Sequence, residues 1–86
     1  MDKFETGMLA RSKAGHDTGR VYVITGAEEA YVFLSDGRLR PLDRPKKKKK
    51  KHVQIILERH DLEGADDSKI RQILKTWNQK EGKQEE

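Results

Sequence analysis

Six consecutive lysines, 46–51, run straight into the apolar, β-branched segment His52-Val53-Gln54-Ile55-Ile56-Leu57. Strand-like sequence lies on both sides of the run, so it must cross a folded domain or join two halves of one. Like charges this close repel each other, and the folded chain alone gains little from them. They make sense if a dense polyanion neutralises them, and nucleic acid is the commonest one.

The rest of the chain keeps that charge local. Residues 1–37 carry a net charge of −2 and residues 53–86 again −2, whereas 38–52 carry nine Lys or Arg against Asp43 alone. A mildly acidic chain with one concentrated positive stretch predicts a localised binding surface. With 86 residues, 33% hydrophobic and 40% charged, the chain supports one domain with a modest core. Its β-type runs argue against wholesale disorder. The absence of cysteine excludes a disulfide framework and a thiolate zinc site, and suits a reducing compartment. The longest apolar run, Ala30 to Leu34, is far short of a membrane span, and Met1-Asp2-Lys3-Phe4-Glu5 has no apolar region behind it. The expectation is a soluble, cytoplasmic monomer with no membrane partner.

Residues 1–6 form a polar lead-in. Met8-Leu9-Ala10-Arg11-Ser12 is a short candidate strand whose inner face its alternation does not assign. Residues 13–20 hold two glycines, Gly15 and Gly19, and read as a loop needing unusual backbone angles or close approach of another chain. Val21-Tyr22-Val23-Ile24-Thr25 and Ala30-Tyr31-Val32-Phe33-Leu34-Ser35 are strands rich in β-branched and aromatic residues. Neither alternates cleanly, so both of their faces need cover.

Asp36-Gly37 predicts a two-residue hairpin into a strand over 38–42. Leu39 would lie on one face of it and Arg38 and Arg40 on the other, at a sheet edge because Pro41 cannot donate to a ladder. The last strand is 52–57, with Val53, Ile55 and Leu57 on one face. The lysines then form the connection between these two strands, without order of their own until RNA binds.

Residues 58–66 are a linker. A helix over 67–81 follows, capped by Asp66, Asp67 or Ser68, with Ile70, Ile73, Leu74 and Trp77 in one stripe. Alone it would be marginal; docking on the strands supplies the missing cover. Residues 82–86 are a frayed tail. Five short strands and then one helix make a mainly β fold, a small barrel with a C-terminal α-helix packed on it.

The stretch Gly7-Met8-Leu9-Ala10-Arg11-Ser12-Lys13-Ala14-Gly15-His16-Asp17-Thr18-Gly19-Arg20-Val21-Tyr22-Val23-Ile24 resembles a KOW motif. A second block agrees in order and spacing: Leu34-Ser35-Asp36-Gly37-Arg38, then a basic run ending in His-apolar-Gln. Residues 7–57 are similar to the KOW domains of the archaeal and eukaryotic large-subunit ribosomal protein fourteen (e-series) family. The tail around Ile70 to Trp77 resembles that family's small bacterial relatives. The resemblance implies an SH3-like barrel that binds RNA, with large-subunit ribosomal RNA as the partner. The motif glycine maps to Gly19, and His16 stands where an arginine is common.

The candidate RNA contacts are Lys46, Lys47, Lys48, Lys49, Lys50 and Lys51, with Arg38 and Arg40 beside them and Lys13, His16 and Arg20 in the glycine loop. Lysine finds backbone phosphates as a flexible point charge without reading bases. A solvated linker or a nuclear-import signal would use the same run. Asp17, of the wrong charge for an RNA contact, reads as an internal acceptor of its loop. Tyr22, Tyr31 and Phe33 are either core or stacking platforms.

Two His-Asp doublets, His16-Asp17 and His60-Asp61, lack the further ligands that a metal hydrolase needs. No serine has a base partner, and no P-loop is present. The chain therefore reads as a non-enzymatic protein without metal or cofactor, docking electrostatically on structured RNA. The alternative is a protein-binding accessory factor of transcription or translation, using the C-terminal helix for its partner.

Overall fold

A computed structural model describes residues 4–81. The expected frayed tail and the first three residues of the lead-in lie outside the described residues. Five strands, β1 (Met8–Ser12), β2 (Val21–Ala27), β3 (Tyr31–Ser35), β4 (Lys46–Lys49) and β5 (Val53–Arg59), precede one helix, α1 (Asp67–Glu81). All strand pairs are antiparallel and form one open sheet in the order β4-β3-β2-β1-β5. A single 3-10 turn, Lys50–His52, joins β4 to β5, so the two edges of the sheet are consecutive in the chain.

The period of two along each strand sends alternate residues to two separate cores. On one face Ala10, Tyr22, Ile24, Val32, Leu34 and Val53 cluster, with Phe4 and Met8 against them. On the other, Leu9 and Val23 meet Ile70, Ile73 and Trp77 of α1. This explains the missing apolar/polar alternation in β2, whose two faces are both covered; in β3 Val32 and Leu34 join a core, whereas Tyr31 and Phe33 on the other face stay half-buried. It also assigns β1, whose Leu9 faces the helix while Ala10 faces away.

The helix begins where Asp66 Oδ1 accepts the amide of Lys69 at 2.9 Å, satisfying one free donor of the first turn. Burying each large apolar side chain of its stripe is worth about 1.5–3 kcal/mol. That outweighs the weak intrinsic stability of a short helix.

Three expectations are corrected. Residues 38–42 form no strand. Asp36 Oδ1 accepts the amides of Arg38 and Arg40, both at 2.9 Å, and the Ser35 hydroxyl donates to the Arg40 carbonyl at 2.6 Å. These local side-chain bonds take the groups a ladder would have used. Asp36-Gly37 thus opens a longer loop rather than a two-residue hairpin, and Leu39 is solvent-exposed. Gly37 still needs its positive φ of 77°, and a Cβ there would lie 2.5 Å from the Asp67 carbonyl oxygen.

Second, the lysine run is no loose connection. Lys46 to Lys49 form β4 and pair with Leu34, Phe33, Val32 and Tyr31 of β3. Third, Leu57 does not join Val53 in the core. The β1–β5 register shifts between Met8 and Leu9, so that Leu9 pairs with Ile56 but Met8 with Arg59. Ile56 faces the helix by ordinary alternation with Val53 and Ile55, and Leu57, just past the shift, is 71% exposed.

Candidate functional site

The lysine strand and the glycine loop meet at Asp17. Its Oδ1 accepts from the Ser12 hydroxyl and its Oδ2 from the Tyr22 hydroxyl, both at 2.8 Å. Lys48 Nζ lies 3.4 Å from Oδ1 and Lys46 Nζ 3.5 Å from Oδ2. Lys48 also donates to the Ala14 carbonyl at 2.9 Å. The side chains of Asp17 and Lys48 are only 10% and 11% exposed.

Burial pushes the Asp17 pKa upward. The hydrogen bonds from Tyr22 and Ser12 and the charges of Lys46 and Lys48 outweigh it, and hold the carboxyl well below the usual carboxylate range. The partner tyrosine moves the other way: burial, then the hydrogen bond and charge of Asp17, push Tyr22 up to about 12.

Strand alternation splits the lysine run. Lys46 and Lys48 pair with Leu34 and Val32, share their face, and run their stems along the core to reach Asp17. Lys47 and Lys49, paired with Phe33 and Tyr31, take the other face and are exposed. Lys47 lies 4.6 Å from the Tyr31 ring centroid and 3.8 Å from Glu28. In the 3-10 turn Lys50 lies over Phe4 and Lys51 is exposed. The Lys13 amide donates to the His52 carbonyl at 2.8 Å, which sets the start of the glycine loop beside that turn. Lys13 and His16 are both exposed in the loop.

Arg20 and Arg38 go elsewhere. They line an open cleft of about 1280 Å³ between α1 and the end of the sheet where β1 meets β2, together with Arg11, Arg71 and Lys75. Arg40 is exposed and does not line it. The candidates from the sequence thus fall into a loop-and-β4 group and a cleft group, with Arg40 in neither.

Arg11, Arg71 and Lys75 are not among the contacts expected from the sequence. Arg71 and Lys75 are four apart on α1, flanking the apolar stripe, a spacing that puts both on one face. Arg11 carried no such signal. Tyr22 is core, as one of its two readings held, whereas Tyr31 and Phe33 are half-buried.

The His-Asp doublets form no catalytic cluster. Asp17 is spent on the network above. His60 Nε2 lies 2.8 Å from Glu58 Oε2, and that hydrogen bond, helped by Lys80, lowers the Glu58 pKa. Among the described residues no group of three His, Asp or Glu side chains is placed to hold a metal ion. Nor is any helix among them long and apolar enough to cross a membrane. No model of a known protein family matches the chain, and no curated protein matches it.

Proposed function

We propose that this chain is a non-catalytic protein that binds structured RNA through an SH3-like barrel of the KOW type. The observation that carries the reading is the Lys48–Asp17–Ala14 junction. It ties a lysine strand to a glycine loop more than 30 residues away in sequence, so that two cation-bearing segments are fixed side by side. Lys46 and Lys48 are consumed in building it, and Lys13, Lys47, Lys49 and Lys51 remain directed to solvent. The barrel reading is supported by the strand order and by the 3-10 turn, which joins the two sheet edges within three residues.

A fixed row of lysines suits phosphates better than a floppy one, because less chain entropy is lost on contact. Gly19, with φ of 94° and nothing within 4 Å of where a Cβ would be, leaves the loop backbone open to close approach. By the resemblance of its two motif blocks, the partner is ribosomal RNA of the large subunit.

The test is an anisotropy titration of a labelled RNA stem-loop across a salt series. Three to four lysine–phosphate contacts give a log–log slope of about −2 to −3.5. Replacing Lys47, Lys49 and Lys51 together with Gln should remove about two units of that slope. Unchanged affinity and slope would remove the lysine strand from the reading.

A further inference from the structure

We infer that the cleft beside α1 is a second, arginine-based site for the phosphate backbone of the same RNA, an inference that rests on the RNA-binding reading. Five cations converge on it from four separate stretches: Arg11 on β1, Arg20 after the glycine loop, Arg38 in the 36–40 loop, and Arg71 and Lys75 on α1. Among the described residues, Lys46, Lys47, Lys48, Arg59 and Lys80 each have a carboxylate within ion-pair distance. None of the five cleft cations does. Among the described residues the one acid on the wall is Asp36, whose Oδ1 is committed to the amides of Arg38 and Arg40.

Two of the arginines are already oriented. The Arg11 guanidinium lies 5.3 Å from the Trp77 ring centroid, with Nη1 directed to the Gly19 carbonyl at 3.4 Å. Arg71 Nη1 donates to the Gly37 carbonyl at 2.7 Å. A guanidinium has five N–H donors, so each keeps most of its fork for a ligand. Fixed forks match the paired oxygens of a phosphate, and fixing them in advance reduces the ordering cost of binding.

Gathering five like charges without a carboxylate partner among the described residues sets up repulsion that local contacts of Arg11 and Arg71 offset only in part. An anion running past all of them removes the repulsion. The volume exceeds the range of about 300–1,000 Å³ usual for small-molecule pockets, and the cleft is open to solvent, which suits a polymer strand. Gly19 lines the cleft, so a backbone can approach there without meeting a side chain.

The test replaces Arg20 and Lys75 together with Gln. Both are exposed, and among the described residues neither side chain holds a hydrogen bond or ion pair. Lys69→Gln, on α1 but outside the cleft, is the control. Binding of a labelled RNA stem-loop is followed across a salt series, with the melting temperature as a check on folding. The double variant should keep its melting temperature and lose about 1.4–1.8 units of log–log salt slope, at about 0.7–0.9 per phosphate contact, while Lys69→Gln keeps the wild-type slope. A double variant with wild-type affinity and slope overturns the cleft site. If the Lys47, Lys49 and Lys51 variant loses slope in the same assay, the RNA-binding reading stands without it. An equal loss in Lys69→Gln also overturns it, since general charge would then be responsible. A wild-type protein that binds no RNA overturns both proposals.

Discussion

The ammonium group of Lys48 lies 3.4 Å from Asp17 Oδ1, with both side chains almost wholly buried. One ion pair thereby fixes the middle of the lysine strand to the centre of the glycine loop. Within a run of identical residues, this lysine has an internal partner and its neighbour Lys49 has none. Identity of residue type does not mean identity of role.

The run should therefore divide by parity. Lys48→Gln and Lys46→Gln should lower stability, Lys48 by about 1–3 kcal/mol because it loses charged hydrogen bonds in a buried setting. Lys46, at 25% exposed, should cost less. Lys49→Gln and Lys51→Gln should leave stability within about 0.5 kcal/mol and weaken RNA binding instead. Denaturant midpoints and RNA titrations on the four single variants check this. Equal behaviour of all four would contradict the division.

Stability should depend on pH through Asp17. An unfolded aspartate titrates near 3.9, and the folded one titrates well below the usual range. Its contribution is whole above about pH 5 and is lost as pH falls through the unfolded value toward the folded one. Asp17→Asn should cost about 2–3 kcal/mol at pH 7, since it strands the nearly buried Lys48 and removes the partner of the more exposed Lys46, and the gap to wild type should narrow as pH falls toward 2. Tyr22 adds an alkaline limb. Its folded pKa of about 12 exceeds the unfolded value of about 10, so its contribution is present below pH 10 and is lost as pH rises from 10 to 12. Urea midpoints against pH give both limbs; a constant gap between wild type and Asp17→Asn would refute the acid one.

The helix is part of the fold rather than an appendage. Trp77 is buried against the sheet, and Trp77→Ala should cost about 3–5 kcal/mol. Gly37→Ala should also destabilise, by about 1–2 kcal/mol for its left-handed backbone, with more from the approach of the Asp67 carbonyl. Thermal melting reads both. A melting temperature unmoved by Trp77→Ala would mean that α1 does not dock.

Some of this was legible in the sequence. Val21-Tyr22-Val23-Ile24 and Tyr31-Val32-Phe33-Leu34 announced themselves by β-branched and aromatic content. The stripe Ile70, Ile73, Leu74, Trp77 announced a docked helix, and the charge of Asp17 marked it as an internal acceptor. The lysine strand was hidden because lysine has low β propensity. It forms there because it is an edge, where lysine is well tolerated, and because β3 supplies the ladder. The false strand over 38–42 had the right alternation, but Ser35 and Asp36 captured its polar groups. Of the arginine cleft, Arg20 and Arg38 stood out as candidate cations and the spacing of Arg71 and Lys75 put them on one helix face, but their convergence with Arg11 from four distant stretches was not legible.

RNA crosslinking in cells, followed by mapping of the crosslinked residues, tests the central claim most directly. The account predicts that the protein is recovered covalently bound to RNA, with adducts in the loop 13–20 and at Lys47, Lys49 or Lys51. Recovery without RNA, or with adducts to protein alone, would contradict it.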